Sequence, residues 1–224
     1  MNRSNSPFPI AVLVSGAGTN LQALLDNLHG RQVEVGAVVS NVPDAPALER
    51  ARAAGVPTKV FRRHDYDSRE KRDEAMAVWL RRRGIRLIVL AGFMEILSER
   101  FLNRFPDSIV NVHPSLLPKY PGMHAIDQAI EDKAKRFGVT VHLVDAGVDT
   151  GPIVLQKYIV LANARDSAEV LEALRPLEHR LLCEAVVTMV DGRREADMEA
   201  GNLEPKRAAA KQRAAKRQLV VAPA

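Results

Sequence analysis

The sequence predicts an α/β protein. The expected fold is an open, mostly parallel, doubly wound sheet of Rossmann-like type, completed by an antiparallel C-terminal hairpin and a terminal helix. Three observations carry this expectation. Over residues 9–113, five short apolar runs alternate with stretches of helical periodicity, the order in which right-handed crossovers build a parallel sheet. Two later apolar runs are separated only by a tight polar loop, which is too short for a crossover and suits a hairpin. A glycine-rich turn follows the first run directly, where such sheets hold their ligands.

The elements follow in order. Residues 9–14 (PIAVLV) form a buried strand that stops at Ser15-Gly16. Residues 20–28 carry Leu21, Leu24, Leu25 and Leu28 at helical spacing. Residues 35–39 are a second strand, 46–54 a short helix ended by Gly55, and 58–61 a third strand. Residues 68–83 read as a long polar helix with Met76, Trp79 and Leu80 on one side, ended by Gly84. A fourth strand spans 87–90. Residues 94–105 read as a helix stopped by Pro106, and 109–113 as a fifth strand. Residues 139–144 and 153–160 are the hairpin strands. A terminal helix is expected over 166–189, with Asp166 and Glu169 resembling a capping box and Pro176 kinking it. The organisation expected is an N-terminal extension (1–8), one folded domain (9–192), and a basic, disordered tail (193–224).

Composition narrows the function classes. The chain has 224 residues, 46% hydrophobic and 26% charged, which is ordinary for a globular protein with a sizeable core. No apolar run reaches the roughly 18 residues of a membrane span, and the first residues lack the apolar segment of a signal peptide. Cys183 is the only cysteine, so neither an intrachain disulfide nor a Cys-rich zinc site can form. A reducing cytoplasm is the expected setting. The net charge of +5 suggests a nucleic-acid partner until it is located. Lys206, Arg207, Lys211, Arg213, Lys216 and Arg217, set against Glu204 alone, account for all of it. The body is balanced, and the tail has no aromatic residue to stack on bases. A solvated appendage is therefore favoured over nucleic-acid binding.

Two segments carry chemistry. In Ser15-Gly-Ala-Gly-Thr-Asn20, glycines let backbone N–H groups approach a ligand at a helix N-terminus, an arrangement suited to phosphate. A dinucleotide fingerprint needs glycine at Leu21 and an acid near Ser40-Asn41, and a P-loop needs Gly-Lys-Ser/Thr; all are absent. A single phosphate fits better, against the alternative of a purely structural turn. The second segment is Ile109-Val-Asn-Val-His-Pro-Ser-Leu-Leu-Pro118. Asn111 and His113 are two apart on a strand, so both point to one face at its carboxyl end. An amide can donate to a developing oxyanion, and an imidazole can move a proton near neutral pH. The hairpin loop offers Asp145 and Asp149 as a carboxylate for His113, against the alternative that either is a turn former. No metal-ligand spacing and no nucleophile elbow occur, and Cys183 falls in the apolar phase of a helix. Direct transfer without a metal is expected over covalent catalysis.

Taken together, the motifs SG-x-G-TNLQ (15–22), AGFM (91–94), N-x-HPSLLP (111–118) and VDTGP (148–152) resemble phosphoribosylglycinamide formyltransferases, in the same order and over residues 10–192. The resemblance implies a formyltransferase-type domain over 9–192. It implies 10-formyltetrahydrofolate as co-substrate and glycinamide ribonucleotide as acceptor, in a monomer or homodimer. It assigns catalysis to Asn111, His113 and Asp149, and the substrate phosphate to Gly18, Thr19 and Asn20. Glu178 falls on the nucleotide substrate, and Arg69, Met94, Glu95, Ile96, Leu97, Asn111 and Asp145 on folate. Glu95 stands where the family pattern has a basic residue. Formyltetrahydrofolate hydrolase and methionyl-tRNA formyltransferase share the chemistry but carry an additional domain, and the sequence outside the motifs is expected to be too short for either.

Overall fold

The five apolar runs become five adjacent strands of a seven-stranded sheet in the computed structural model, which describes residues 6–218, with side chains described for 6–200. In chain order the elements are β1 (Phe8–Val14), α1 (Thr19–Asn27), β2 (Val33–Ser40), α2 (Pro46–Ala53), β3 (Thr58–Val60), α3 (Arg69–Arg82), β4 (Leu87–Leu90), α4 (Glu99–Leu102), β5 (Ile109–His113), α5 (Ala125–Glu131), β6 (Arg136–Leu143), β7 (Ile153–Val160) and α6 (Ser167–Gln218). The strand order is β3-β2-β1-β4-β5-β6-β7. Strands β1 to β5 are mutually parallel, β6 runs antiparallel to β5, and β7 antiparallel to β6.

The period of two along each strand divides the core into two layers. Ile10, Val12 and Val14 of β1 face one layer with Leu21 and Leu24 of α1, Leu48 of α2, and Leu174, Leu181 and Val186 of α6. Ala11 and Leu13 face the other, with Met76 and Leu80 of α3, Phe101 and Phe105. Both sheet faces are thus covered in the parallel half, which is why its central strands β1 and β4 are apolar throughout. Each fully buried leucine in these layers contributes about 1.5–3 kcal/mol relative to exposure.

Three segments depart from the expectations. Residues 94–105 form no continuous helix; only Glu99–Leu102 is helical. The reason lies outside the segment. Ser15 Oγ accepts the Met94 amide at 2.8 Å, and Asp73 Oδ2 accepts the Ser98 amide at 2.7 Å. These contacts hold residues 94–98 out of helical geometry. Helix α5 had no counterpart in the sequence reading, and β6 starts at Arg136, three residues early. The terminal helix continues through Pro176 and past Gly192 to Gln218. Side chains 193–200 account for part of this. Arg194 donates to the carbonyls of Ser6 (3.0 Å) and Gln32 (3.2 Å), Arg193 donates to the carbonyl of Asp107, and Asp197 pairs with Arg86 (2.7 Å). Beyond them the sequence is dominated by the helix formers Ala, Lys, Arg and Gln. Of the expected extension and tail, residues 1–5 and 219–224 lie outside the described residues.

Candidate active site

Strand β5 places Asn111 and His113 on the sheet face that α3 and α4 cover only at its start, where Ile109 is packed. Val110 and Val112 point into the opposite layer. Strand β6 pairs Asn111 with His142 and His113 with Thr140. Directly opposite residues share a face, so His142 stands beside Asn111. The loop after β6 folds back over this face, with Asp149 in the left-handed region at φ 54, a conformation aspartate tolerates better than most residues.

The four side chains form one cluster. Asp149 Oδ1 accepts from Asn111 Nδ2 at 3.3 Å and lies 3.4 Å from His142 Nε2. Asp149 Oδ2 accepts the Gly122 amide at 2.8 Å and lies 3.3 Å from His113 Nδ1. His113 Nε2 lies 2.8 Å from the Tyr120 carbonyl. Each nitrogen of His113 therefore faces an oxygen atom able to accept a hydrogen bond. The His142 ring, the Gly122 amide and the charge of His113 together outweigh burial and hold the Asp149 carboxyl down to about 2. At neutral pH it is ionised.

This cluster lies on the wall of a cavity of about 600 Å³, within the range of sites for drug-sized ligands. Met94, Glu95, Ile96 and Leu97 form one side and Val144 to Asp149 another. Met94, Ile96, Met123 and Val148 are exposed apolar residues around it, suited to gripping a flat ring between apolar surfaces. Asp145 belongs to the wall, but its Oδ1 accepts from the Gly147 amide (3.1 Å) and Thr150 Oγ1 (2.7 Å), so it also shapes the loop. Arg69 sits in the first turn of α3, half-exposed, 3.7 Å from Glu70 and away from the cavity lining. The Glu95 carboxylate is turned onto the Arg72 guanidinium and accepts from Asn41 Nδ2 at 2.7 Å.

The glycine loop, with Gly18, Thr19 and Asn20, and Glu178 lie outside the lining of this cavity. Gly18 has φ 72, and a Cβ there would lie 2.5 Å from Ala47 Cβ, so only glycine fits. Helix α1 starts at Thr19 with no acidic residue in its first turn and no side-chain cap, leaving its first amides free to receive an anion. Asn20 Nδ2 donates to Glu178 Oε1 at 2.6 Å, which brings Glu178 to this loop. Burial pushes the Glu178 carboxyl up, opposed by Asn20 and by Arg175. Arg50 Nε donates to the Ala17 carbonyl at 2.9 Å and adds a cation that sequence reasoning did not identify. His142, the Tyr120 carbonyl and the Gly122 amide were also missed. Only the strand pairing and the chain path reveal them.

The sequence matches the formyl transferase family over residues 9–186. The phosphoribosylglycinamide formyltransferase of Haemophilus influenzae is 41% identical over 187 residues, covering 82% of this chain and 88% of that protein. The protein of the same name from Escherichia coli is 38% identical over 186 residues, with coverage of 82% and 88%. The trifunctional purine biosynthetic protein adenosine-3 of Drosophila melanogaster is 41% identical over 187 residues, but the chain spans only 14% of its length. Among solved structures, glycinamide ribonucleotide transformylase 1 from Symbiobacterium toebii has a TM-score of 0.81 and 41% identity, with 84% of this chain and 89% of that one covered. The chain belongs to the formyl transferase family and, within it, to the phosphoribosylglycinamide formyltransferases.

Proposed function

We propose that the protein transfers a formyl group from 10-formyltetrahydrofolate to the amino group of glycinamide ribonucleotide by direct attack. The observation that carries this reading is the contact of Asn111, His113 and Asp149 on the wall of the 600 Å³ cavity. The folate ring occupies that cavity against residues 94–97 and the loop around Asp145. The acceptor's phosphate rests on the amides of Gly18, Thr19 and Asn20, with Glu178 beside its sugar and amide. Arg69 is left for the glutamate of folate, beyond the cavity itself.

The amine nitrogen attacks the formyl carbon, and the carbonyl oxygen takes up the displaced electron pair. Asn111 Nδ2 and an N–H of His113 stabilise that oxyanion. For this, the formyl oxygen replaces the Tyr120 carbonyl as the partner of His113 Nε2. His113 gives its Nε2 proton to the departing folate nitrogen as that nitrogen's bond to the formyl carbon breaks, and the proton lost by the attacking amine then restores His113. A carboxyl held at about 2 stays ionised throughout. Asp149 therefore orients His113 and stabilises its positive charge without storing the proton.

A steady-state assay with both substrates, and a control containing water in place of the amine, tests the reading. Amine-dependent release of tetrahydrofolate is expected; equal release without amine would make the protein a hydrolase. His113→Ala is expected to lower kcat by about two orders of magnitude or more, and Asn111→Ala by about 10²–10³, both in folded protein. Near-wild-type turnover in either would overturn the assignment.

A further inference from the structure

Behind the cavity wall lies a charged group that the reaction does not use. Arg72, in the first turns of α3, is 0% exposed. A buried guanidinium is tolerated only with its donors met by paired acceptors. Its Nε and Nη2 donate to Asp73 Oδ1 at 2.9 and 2.7 Å, and its Nη1 is ion-paired with the Glu95 carboxylate without hydrogen-bond geometry. The second oxygen of Asp73 accepts the Ser98 amide at 2.7 Å. Glu95 Oε1 accepts from Asn41 Nδ2 at 2.7 Å, Asn41 Oδ1 accepts from Ser15 Oγ at 2.6 Å, and Ser15 Oγ accepts the Met94 amide at 2.8 Å. The chain of contacts leaves segment 94–98 at the Ser98 amide, passes through α3 and the end of β2, and returns at the Met94 amide.

That ring grips residues 94–98 at three points: two backbone amides and the Glu95 side chain. It also contains Ser15, the residue that opens the glycine loop. The segment it holds is the cavity wall carrying Met94 and Ile96, and the loop it touches is the one with free helix-terminal amides.

We propose that Arg72 and Asn41 are positioning residues, acting through Glu95 and Ser15 to fix the cavity wall and the glycine loop relative to one another. The inference rests on the reading of these two surfaces as the formyl-donor and acceptor sites. Neither residue touches Asn111, His113 or Asp149. Their loss therefore loosens binding at both surfaces and leaves the reacting groups in place.

The experiment uses the full chain. Asn41→Ala opens the ring without disturbing the buried charges, and Arg72→Met removes its centre with similar volume. The expected result is a rise of about tenfold in KM for both substrates with kcat within about twofold. Faster hydrogen exchange at the Met94 amide is expected in Asn41→Ala, and at the Met94 and Ser98 amides in Arg72→Met. Should Arg72→Met not fold, Asn41→Ala carries the test alone. Unchanged KM values and unchanged exchange in Asn41→Ala would overturn the proposal. A wild-type protein without amine-dependent transfer would overturn the functional reading, and the exchange measurement then still decides whether the ring positions the segment.

Discussion

Replacing Asp149 by Asn tests the cluster through stability as well as turnover, because the two amino acids share a shape and both tolerate the left-handed backbone found there. The carboxyl's usual value of 3.8 falls to about 2 in the fold, through the His142 ring first and then the Gly122 amide and the charge of His113. A carboxyl depressed by folding stabilises the protein above its unfolded value and loses that contribution as pH falls through its folded value. The window is therefore pH 4 down to pH 2. The gap corresponds to about 2 kcal/mol at pH 7. That figure is an upper bound, since the carboxylate keeps 13% of its side-chain exposure and with it some solvent screening. Urea unfolding of wild type and Asp149→Asn, followed between pH 7 and pH 2.5, isolates the contribution, because every other carboxyl titrates in both proteins and cancels in the difference. The Asn side chain also turns an NH2 toward the Gly122 amide or toward a histidine, which adds a loss that does not depend on pH. The expected result is a stability gap of about 1–2 kcal/mol or more at pH 7, narrowing by about that amount toward pH 2.5. A gap that stays constant from pH 7 to pH 2.5 would refute the claim that Asp149 is held ionised by its neighbours.

Two glycines supply further tests. In Gly151→Ala the new Cβ would lie 1.9 Å from the Leu143 carbonyl oxygen, a backbone atom that cannot swing away. The hairpin must open there, and thermal unfolding is expected to show a loss of about 2 kcal/mol or more, roughly 5 °C in Tm for a chain of this size; an unchanged Tm would contradict the close approach. In Gly18→Ala the left-handed backbone and the approach to Ala47 displace the start of α1. Kinetics are expected to show at least about a tenfold rise in KM for the phosphate-bearing acceptor with little change for the formyl donor. Equal effects on both would remove the phosphate role from this loop.

The central parallel strands β1 and β4 were legible because burial on both faces makes them apolar without interruption, as in residues 87–90. Asn111 and His113 were legible because two polar residues at the end of such a run have few structural reasons to be there. The choice between Asp145 and Asp149 was open from the residues alone, and the chain path assigns them different tasks. Asp145 closes the loop on Thr150, and Asp149 reaches the histidines. Residues 94–105 misled because Leu97, Phe101 and Phe105 are spaced as in a helix, while the acceptors that take the amides of Met94 and Ser98, Ser15 and Asp73, lie far away in sequence. Arg72 lies in a helix whose sequence reads only as long and polar, yet it shares a stripe with Met76 and Leu80 at intervals of four. A charge in the apolar phase was the available signal, and its partly exposed partner Glu95 is the residue that breaks the family pattern.

A single topological event assembles the cluster. Up to β5 every connection is a crossover whose helix covers a sheet face, and a further crossover after β5 could have laid a helix over Asn111 and His113. Instead the chain passes through the short α5 and returns antiparallel as β6. That reversal has two consequences. It sets His142 directly across from Asn111, and it makes the next loop start level with the beginning of β5, where the Val144 amide bonds the Ile109 carbonyl. To reach His113 at the far end, the loop must cross the uncovered face of β5, and Asp149 meets Asn111, His142 and His113 on that path. The body of the chain carries no net charge, so the proposed recognition of anionic substrates depends on donors placed by such local geometry. The antiparallel turn of the sheet is what provides them beside β5, as the free first turn of α1 does beside β1.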